Sequence, residues 1–185
     1  MKALQTLVGL SWVVFWVYWF ASAANSKPSV SRGSRKPRLG ILLIFLLLAL
    51  SPINRNINLG HQVGHGRPWL RILGVVLFYT GLAVAIWARR YLGHNWGMPM
   101  STKKDPKLVT SGPYSRVRHP IYTGIILAVI GSFLATTLTW LVAFALISAY
   151  FIYAAFQEEK TMLKQFPNAY PAYKARTKML LPFIF

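Results

Sequence analysis

The chain contains no cysteine, which excludes disulfides, a thiolate nucleophile and any thiolate-ligated metal. Acidic residues are almost as scarce. Asp105, Glu158 and Glu159 are the only three in 185 residues, so paired-carboxylate chemistry has one possible address. Charge of either sign is rare at 13%, and residues 121–156 carry none. What remains is 55% hydrophobic, with a mean hydropathy of +0.41 and 21 Lys and Arg. That is the profile of an integral membrane protein of one domain, residues 1–185, rather than a soluble one. The net charge of +18 invites a nucleic-acid reading. The cations lie between apolar runs of membrane length, however, so the expected partner is the lipid bilayer and no nucleic acid.

Residues 3–24 form an uncharged run rich in Trp and Tyr, long enough to cross a bilayer. Lys2, this run and Ala21-Ser22-Ala23 also resemble a signal peptide with its cleavage site; the segment is read here as a first transmembrane helix. A basic Ser/Pro/Gly-rich linker, 25–38, leads to a second apolar run at 39–53, short for a full span. His61 and His65 follow at i, i+4, a spacing that can offer two imidazoles to a metal. They sit among Gly60, Gly64, Gly66 and Pro68 with no carboxylate nearby, so a solvated loop is expected and no metal. The third span is 69–88, closed by Arg89-Arg90.

The uncharged run 121–156 would make a single helix of roughly 54 Å, well beyond an approximately 30 Å hydrocarbon core. It must fold back, and Thr136, Thr137 and Thr139 mark the turn. The sequence thus predicts an all-α integral membrane fold of about five transmembrane helices. Residues 1–88 supply the N-terminal spans and 89–185 a core built on a helical hairpin. Five spans put 17 of the 21 Lys and Arg on one side, which the positive-inside rule makes cytoplasmic. The N-terminus is then outside, and the loop 89–119, the pair Glu158-Glu159 and the C-terminal tail all meet at the cytoplasmic surface.

Two features there call for a ligand. The stretch LVTSGPYSRVRHPIYTG (108–124) mixes a turn, two arginines, a histidine, two prolines and two tyrosines, more than a connecting loop needs. Glu158-Glu159 follows the apolar hairpin, where two acids at a helix C-terminus oppose the dipole unless they bind something. Plainer roles are open to the neighbours. Arg116 suits a headgroup anchor, Tyr114 and Tyr122 the interfacial belt, and Tyr170 and Tyr173 packing against the loop. Arg89-Arg90, Asn95 and Trp96 are explained mostly by topology and belt packing, with a place in a binding pocket as the alternative.

The 108–124 stretch, the apolar hairpin, the EE pair and FPNAYPAYKARTKMLLPFI together resemble the isoprenylcysteine carboxyl methyltransferase family. More loosely they are similar to phospholipid N-methyltransferases and to the C-terminal half of membrane sterol reductases. The resemblance runs from Arg89 to Phe185. It implies a membrane enzyme using S-adenosyl-L-methionine, held by Lys107, Leu108, Val109, Tyr114, His119, Pro120, Ile121, Tyr122 and Glu158. Glu158 suits the cofactor's ammonium or ribose hydroxyls, Arg118 or His119 its carboxylate, and Leu108, Val109 and Ile121 its adenine. The implied catalytic group is Arg118, His119 and Glu159, with His119, Glu159 or a water taking the acceptor's proton. The implied acceptor is a membrane lipid or lipidated small molecule. In the prenylcysteine enzymes an arginine one helical turn before the cofactor glutamate faces the substrate carboxylate; here Ala154 stands there, which leaves amines, hydroxyls or another lipid acid open. An NADPH-dependent reductase of the sterol type and a non-catalytic membrane scaffold or carrier are the alternatives.

Overall fold

The computed structural model describes residues 2–23, 26, 29–31 and 67–181. The apolar run at 39–53 and the His61/His65 pair lie outside the described residues. Five α-helices are described: α1 (Lys2–Ala23), α2 (Pro68–Leu92), α3 (Pro120–Ala135), α4 (Thr139–Gln165) and α5 (Tyr170–Arg176). A short antiparallel pair, β1 (Ser29–Ser31) with β2 (Thr102–Lys103), ties the segment after α1 to the loop after α2. Among the described residues three helices are long and apolar enough to cross a membrane, Lys2–Ser22, Pro68–Asn95 and Thr139–Gln165, and α3 is a shorter apolar helix. The protein is an all-α membrane protein.

Its centre is the antiparallel pair α2–α3, whose backbones touch. Gly74 and Gly81 of α2 face Gly131 and Gly124 of α3, seven residues apart on both helices. A Cβ at any of the four would fall within 3.0 Å of the facing backbone. Between membrane helices such small residues permit the dispersion contacts that replace a hydrophobic driving force. The hairpin turns between Ala135 and Thr139, where the sequence predicts it. Thr136 closes α3 through its own N–H and hydroxyl, both donating to Ser132 O at 3.0 and 2.6 Å.

α1 leans on this core with one face. Val8, Trp12, Phe15 and Trp19 are buried at i, i+4, i+7, i+11, while Val14 and Val17 look outward. Trp12 anchors it, donating to Ser132 Oγ at 3.1 Å and stacking on Trp140 at 6.0 Å.

Two boundaries differ from the sequence reading. Helix α2 runs through Arg89-Arg90 to Leu92, because cations in a last turn complement the exposed carbonyls there. Helix α4 continues past Glu158-Glu159 to Gln165. The glutamates therefore sit inside a helix, not at its end, and no dipole penalty falls on them. What makes their presence possible is the set of groups they meet.

Candidate functional site

The loop 93–119 and the tail fold over the same end of the bundle. Gly112 takes φ of 59°, a left-handed value that glycine adopts at little cost, at the start of the turn Gly112–Ser115. Pro120 occupies the first turn of α3, where its missing N–H costs nothing. The tail is pinned to the motif by backbone bonds: Arg118 N–H donates to Lys178 O at 2.8 Å, His119 N–H to Met179 O at 3.1 Å. Thr123 Oγ1 adds a bond to Leu180 O at 2.6 Å.

The two glutamates part company here. Consecutive helical residues point about 100° apart, and they face different partners. Glu158 Oε1 accepts from Tyr122 OH at 2.5 Å and from the backbone N–H of Met100 at 2.9 Å; Oε2 lies 3.4 Å from His119 Nδ1. Met100 reaches it with φ of 58°, a left-handed conformation that a non-glycine residue holds only when its surroundings enforce it. Glu159 is 2% exposed and is enclosed by Arg118 Nε at 2.6 Å and Lys174 Nζ at 2.7 Å. Arg118 Nη1 donates to Thr177 O and Lys174 O.

His119 stands between both acids, with Nε2 buried, without a hydrogen-bond partner and 3.8 Å from Glu159 Oε1. Burial alone would lower its pKa; the facing carboxylates of Glu158 and Glu159 outweigh that and raise it above the ordinary histidine value. Burial also raises Tyr114 and Tyr170 well above the phenol range and Tyr173 to about 12. These phenols therefore stay protonated at neutral pH and act as donors. Tyr173 OH donates to Tyr114 O at 2.7 Å, and Tyr114 OH to Ala88 O at 3.3 Å.

A cavity of about 760 Å³ opens at this end, within the usual range of ligand pockets. Lys107, Leu108, Val109, Tyr114, Arg118, His119, Ile121, Tyr122 and Glu158 line it. Two residues singled out from sequence, Pro120 and Glu159, do not. Ala154 is fully buried and contributes no cation to the wall. The cavity also takes in groups that the sequence did not single out as its wall. Trp12, Trp16, Trp19 and Phe20 of α1, with Trp140 and Phe151 of α4, make one side almost wholly aromatic. The spacing of the α1 tryptophans, four residues and then three, signals a packed helix face, though not what it faces. Asn95 and Gln165 also line the cavity, each with a buried side-chain oxygen lacking a partner. Among the described residues no group of three or more His, Asp and Glu could hold a metal ion.

The donor set suits the cofactor implied by the resemblance. Glu158 and the orphaned oxygens of Asn95 and Gln165 are acceptors for ammonium and hydroxyl groups. His119 and Lys107 are donors for a carboxylate, and Leu108, Val109 and Met162 are apolar surfaces for a flat ring.

A helical membrane bundle with a carboxylate and aromatic pocket at one end of an apolar hairpin defines a class, the all-α membrane proteins with a ligand-sized pocket. Within it, the chain belongs to the phospholipid methyltransferase family, whose sequence profile matches residues 69–169. It is 29% identical over 151 residues to the cobalt-zinc-cadmium resistance protein CzcN of Cupriavidus metallidurans, covering 78% of this chain and 63% of that one. Protein-S-isoprenylcysteine O-methyltransferase of Xenopus laevis is 32% identical over 120 residues, 63% of this chain and 42% of the relative. Its counterpart in Saccharomyces cerevisiae is 31% identical over 117 residues, 61% and 49%. The chain thus spans between 42% and 63% of the length of these relatives.

Proposed function

We propose that the protein is an S-adenosyl-L-methionine-dependent methyltransferase acting on a membrane-embedded lipid or lipidated acceptor at the cytoplasmic face. One observation carries this reading. A single cavity joins a polar end, walled by Glu158, His119 and Lys107, to an aromatic end formed by α1 and α4. A water-soluble donor and an apolar acceptor can enter such a space from opposite sides. Family membership supports the reaction class.

The cofactor supplies an electrophilic methyl group on sulfonium. Everything else asked of the protein is alignment and exclusion of water, which can supply much of the rate of a displacement. Glu158 holds the cofactor's ammonium or hydroxyls, itself oriented by Tyr122 OH and Met100 N–H. His119, whose imidazolium form the two facing acids favour, is suited to a carboxylate. Glu159 and Arg118 hold the motif to the tail. Arg118 is engaged and Ala154 brings no charge, so amine and hydroxyl acceptors are better served than a carboxylate.

The test is calorimetric binding of S-adenosylmethionine, S-adenosylhomocysteine and NADPH to the protein in lipid nanodiscs. Saturable binding of the first two, lost in Glu158→Ala, is expected. Binding of NADPH alone would replace this reading with a reductase, and binding of none by folded protein would leave a scaffold or carrier.

A further inference from the structure

Arg89 is a buried cation at the end of α2 that the proposed chemistry does not use. It is 4% exposed and does not line the cavity. Its Nη2 donates to Ser22 O at 2.7 Å and to Ser26 Oγ at 3.4 Å, and its Nη1 to Gly93 O at 3.1 Å. Ser22 is in the last turn of α1 and Gly93 caps α2. One guanidinium therefore sits between two helix C-termini, where free carbonyls and the negative ends of both dipoles converge. Its plane also lies over aromatic rings, 4.1 Å from the Trp96 centroid and 6.0 Å from that of Trp19. Those two rings meet edge to face at 5.5 Å.

We infer that Arg89 is a positioning residue that couples α1, the acceptor side of the cavity, to the loop that reaches Glu158. The physical chain is continuous. Ser22 is bonded to Arg89, and Arg89 is stacked on Trp96. Four residues on, Met100 donates its N–H to Glu158 Oε1. Deeper in the bundle α1 is held separately, by Trp12 on Ser132 and by Ser11 Oγ against Tyr79 OH at 3.1 Å. Arg89 thus sets the end of α1 nearest the polar groups without setting its depth. Cofactor seated on the loop then orders the wall on which the acceptor must lie, so donor occupancy prepares the acceptor site. A lysine cannot do this, since it offers a point charge in place of a forked, stackable plane.

This inference rests on the proposed cofactor, and the experiment separates the two. Hydrogen exchange is followed in the full chain in nanodiscs with and without S-adenosylhomocysteine. In the parent the ligand slows exchange at residues 98–109 and also, by about tenfold, at residues 16–22, within the ordinary range of coupling between sites. In Arg89→Gln, and in Arg89→Met, which keeps the aliphatic stem and packs without charge, the loop is still protected. The effect at 16–22 falls below about twofold. Arg90→Gln, the exposed neighbour, behaves as the parent. Protection of 16–22 persisting in both Arg89 variants, or absent in a parent whose loop is protected, overturns the coupling. No protection anywhere in the parent overturns the cofactor reading and the coupling with it.

Discussion

Arg118 Nε donates to Glu159 Oε1 at 2.6 Å and holds that carboxylate behind the cavity wall, while the adjoining Glu158 lines the cavity. Two neighbouring acids thus do different work. Replacing Glu159 by Gln leaves the buried Arg118 without its counter-charge, a loss of about 3–5 kcal/mol in stability. Lys174→Ala, at the exposed side of the same carboxylate, costs about 1 kcal/mol or less. Glu158→Gln has the opposite emphasis: a smaller loss of stability, through His119 facing its Oε2, and affinity for S-adenosylhomocysteine weaker by about 10- to 100-fold, as expected for losing a hydrogen bond to a charged group. Unfolding in lipid and calorimetric titration of the three variants check this; equal effects of Glu158 and Glu159 on binding would refute the division.

Tyr122 orients Glu158 through its hydroxyl while its ring stacks on Phe151 at 4.4 Å. Tyr122→Phe keeps the stack and removes the bond. Affinity for S-adenosylhomocysteine should drop about tenfold with little change in melting temperature. An unchanged affinity would mean that Met100 N–H alone fixes the carboxylate.

The glycine seam has no room for growth. Gly131→Val places methyl groups against the backbone of Phe78 and Gly74, and should destabilise the protein by about 1–3 kcal/mol or more through forced separation of α2 and α3. Gly9→Val, where a Cβ would meet nothing within 4 Å, should stay within about 0.5 kcal/mol of the parent. Comparable losses at both positions would argue against backbone contact as the source.

The His119 imidazolium is favoured in the folded state, so its contribution to stability has a definite sign. It is fully present below about pH 6.5, the ordinary histidine value, and is lost as pH rises through the raised folded value. Melting temperature should therefore fall as pH rises above about 6.5, and His119→Gln should flatten that slope. A parent whose stability rises over the same window would contradict the assignment.

Much of this was readable in advance. The uncharged run 121–156 is too long for one crossing, and its threonines mark where α3 gives way to α4. The RHPIY motif and Glu158 meet because the hairpin returns its ends to one level. Less was readable where polarity had to stand in for geometry. The acids at 158 and 159 mark where the uncharged run ends, but helix-forming residues such as Lys160, Met162, Leu163, Lys164 and Gln165 carry α4 onward. Glu158 and Glu159 look alike in sequence; only the 100° between them on the helix separates a cavity carboxylate from a buried ion pair. The tryptophans of α1 announce a buried face, yet their place opposite Glu158 depends on contacts distant in the chain.

The shortness of α3 has a further consequence. Sixteen residues rise roughly 24 Å, against an approximately 30 Å hydrocarbon core, whereas α4 is long enough to cross and continues about 10 Å beyond Glu158. The two arms of the hairpin thus differ in length, and α4 projects past the level at which His119 meets Glu158. Its last two turns, through Met162 and Gln165, stand as a rail beside the mouth of the pocket.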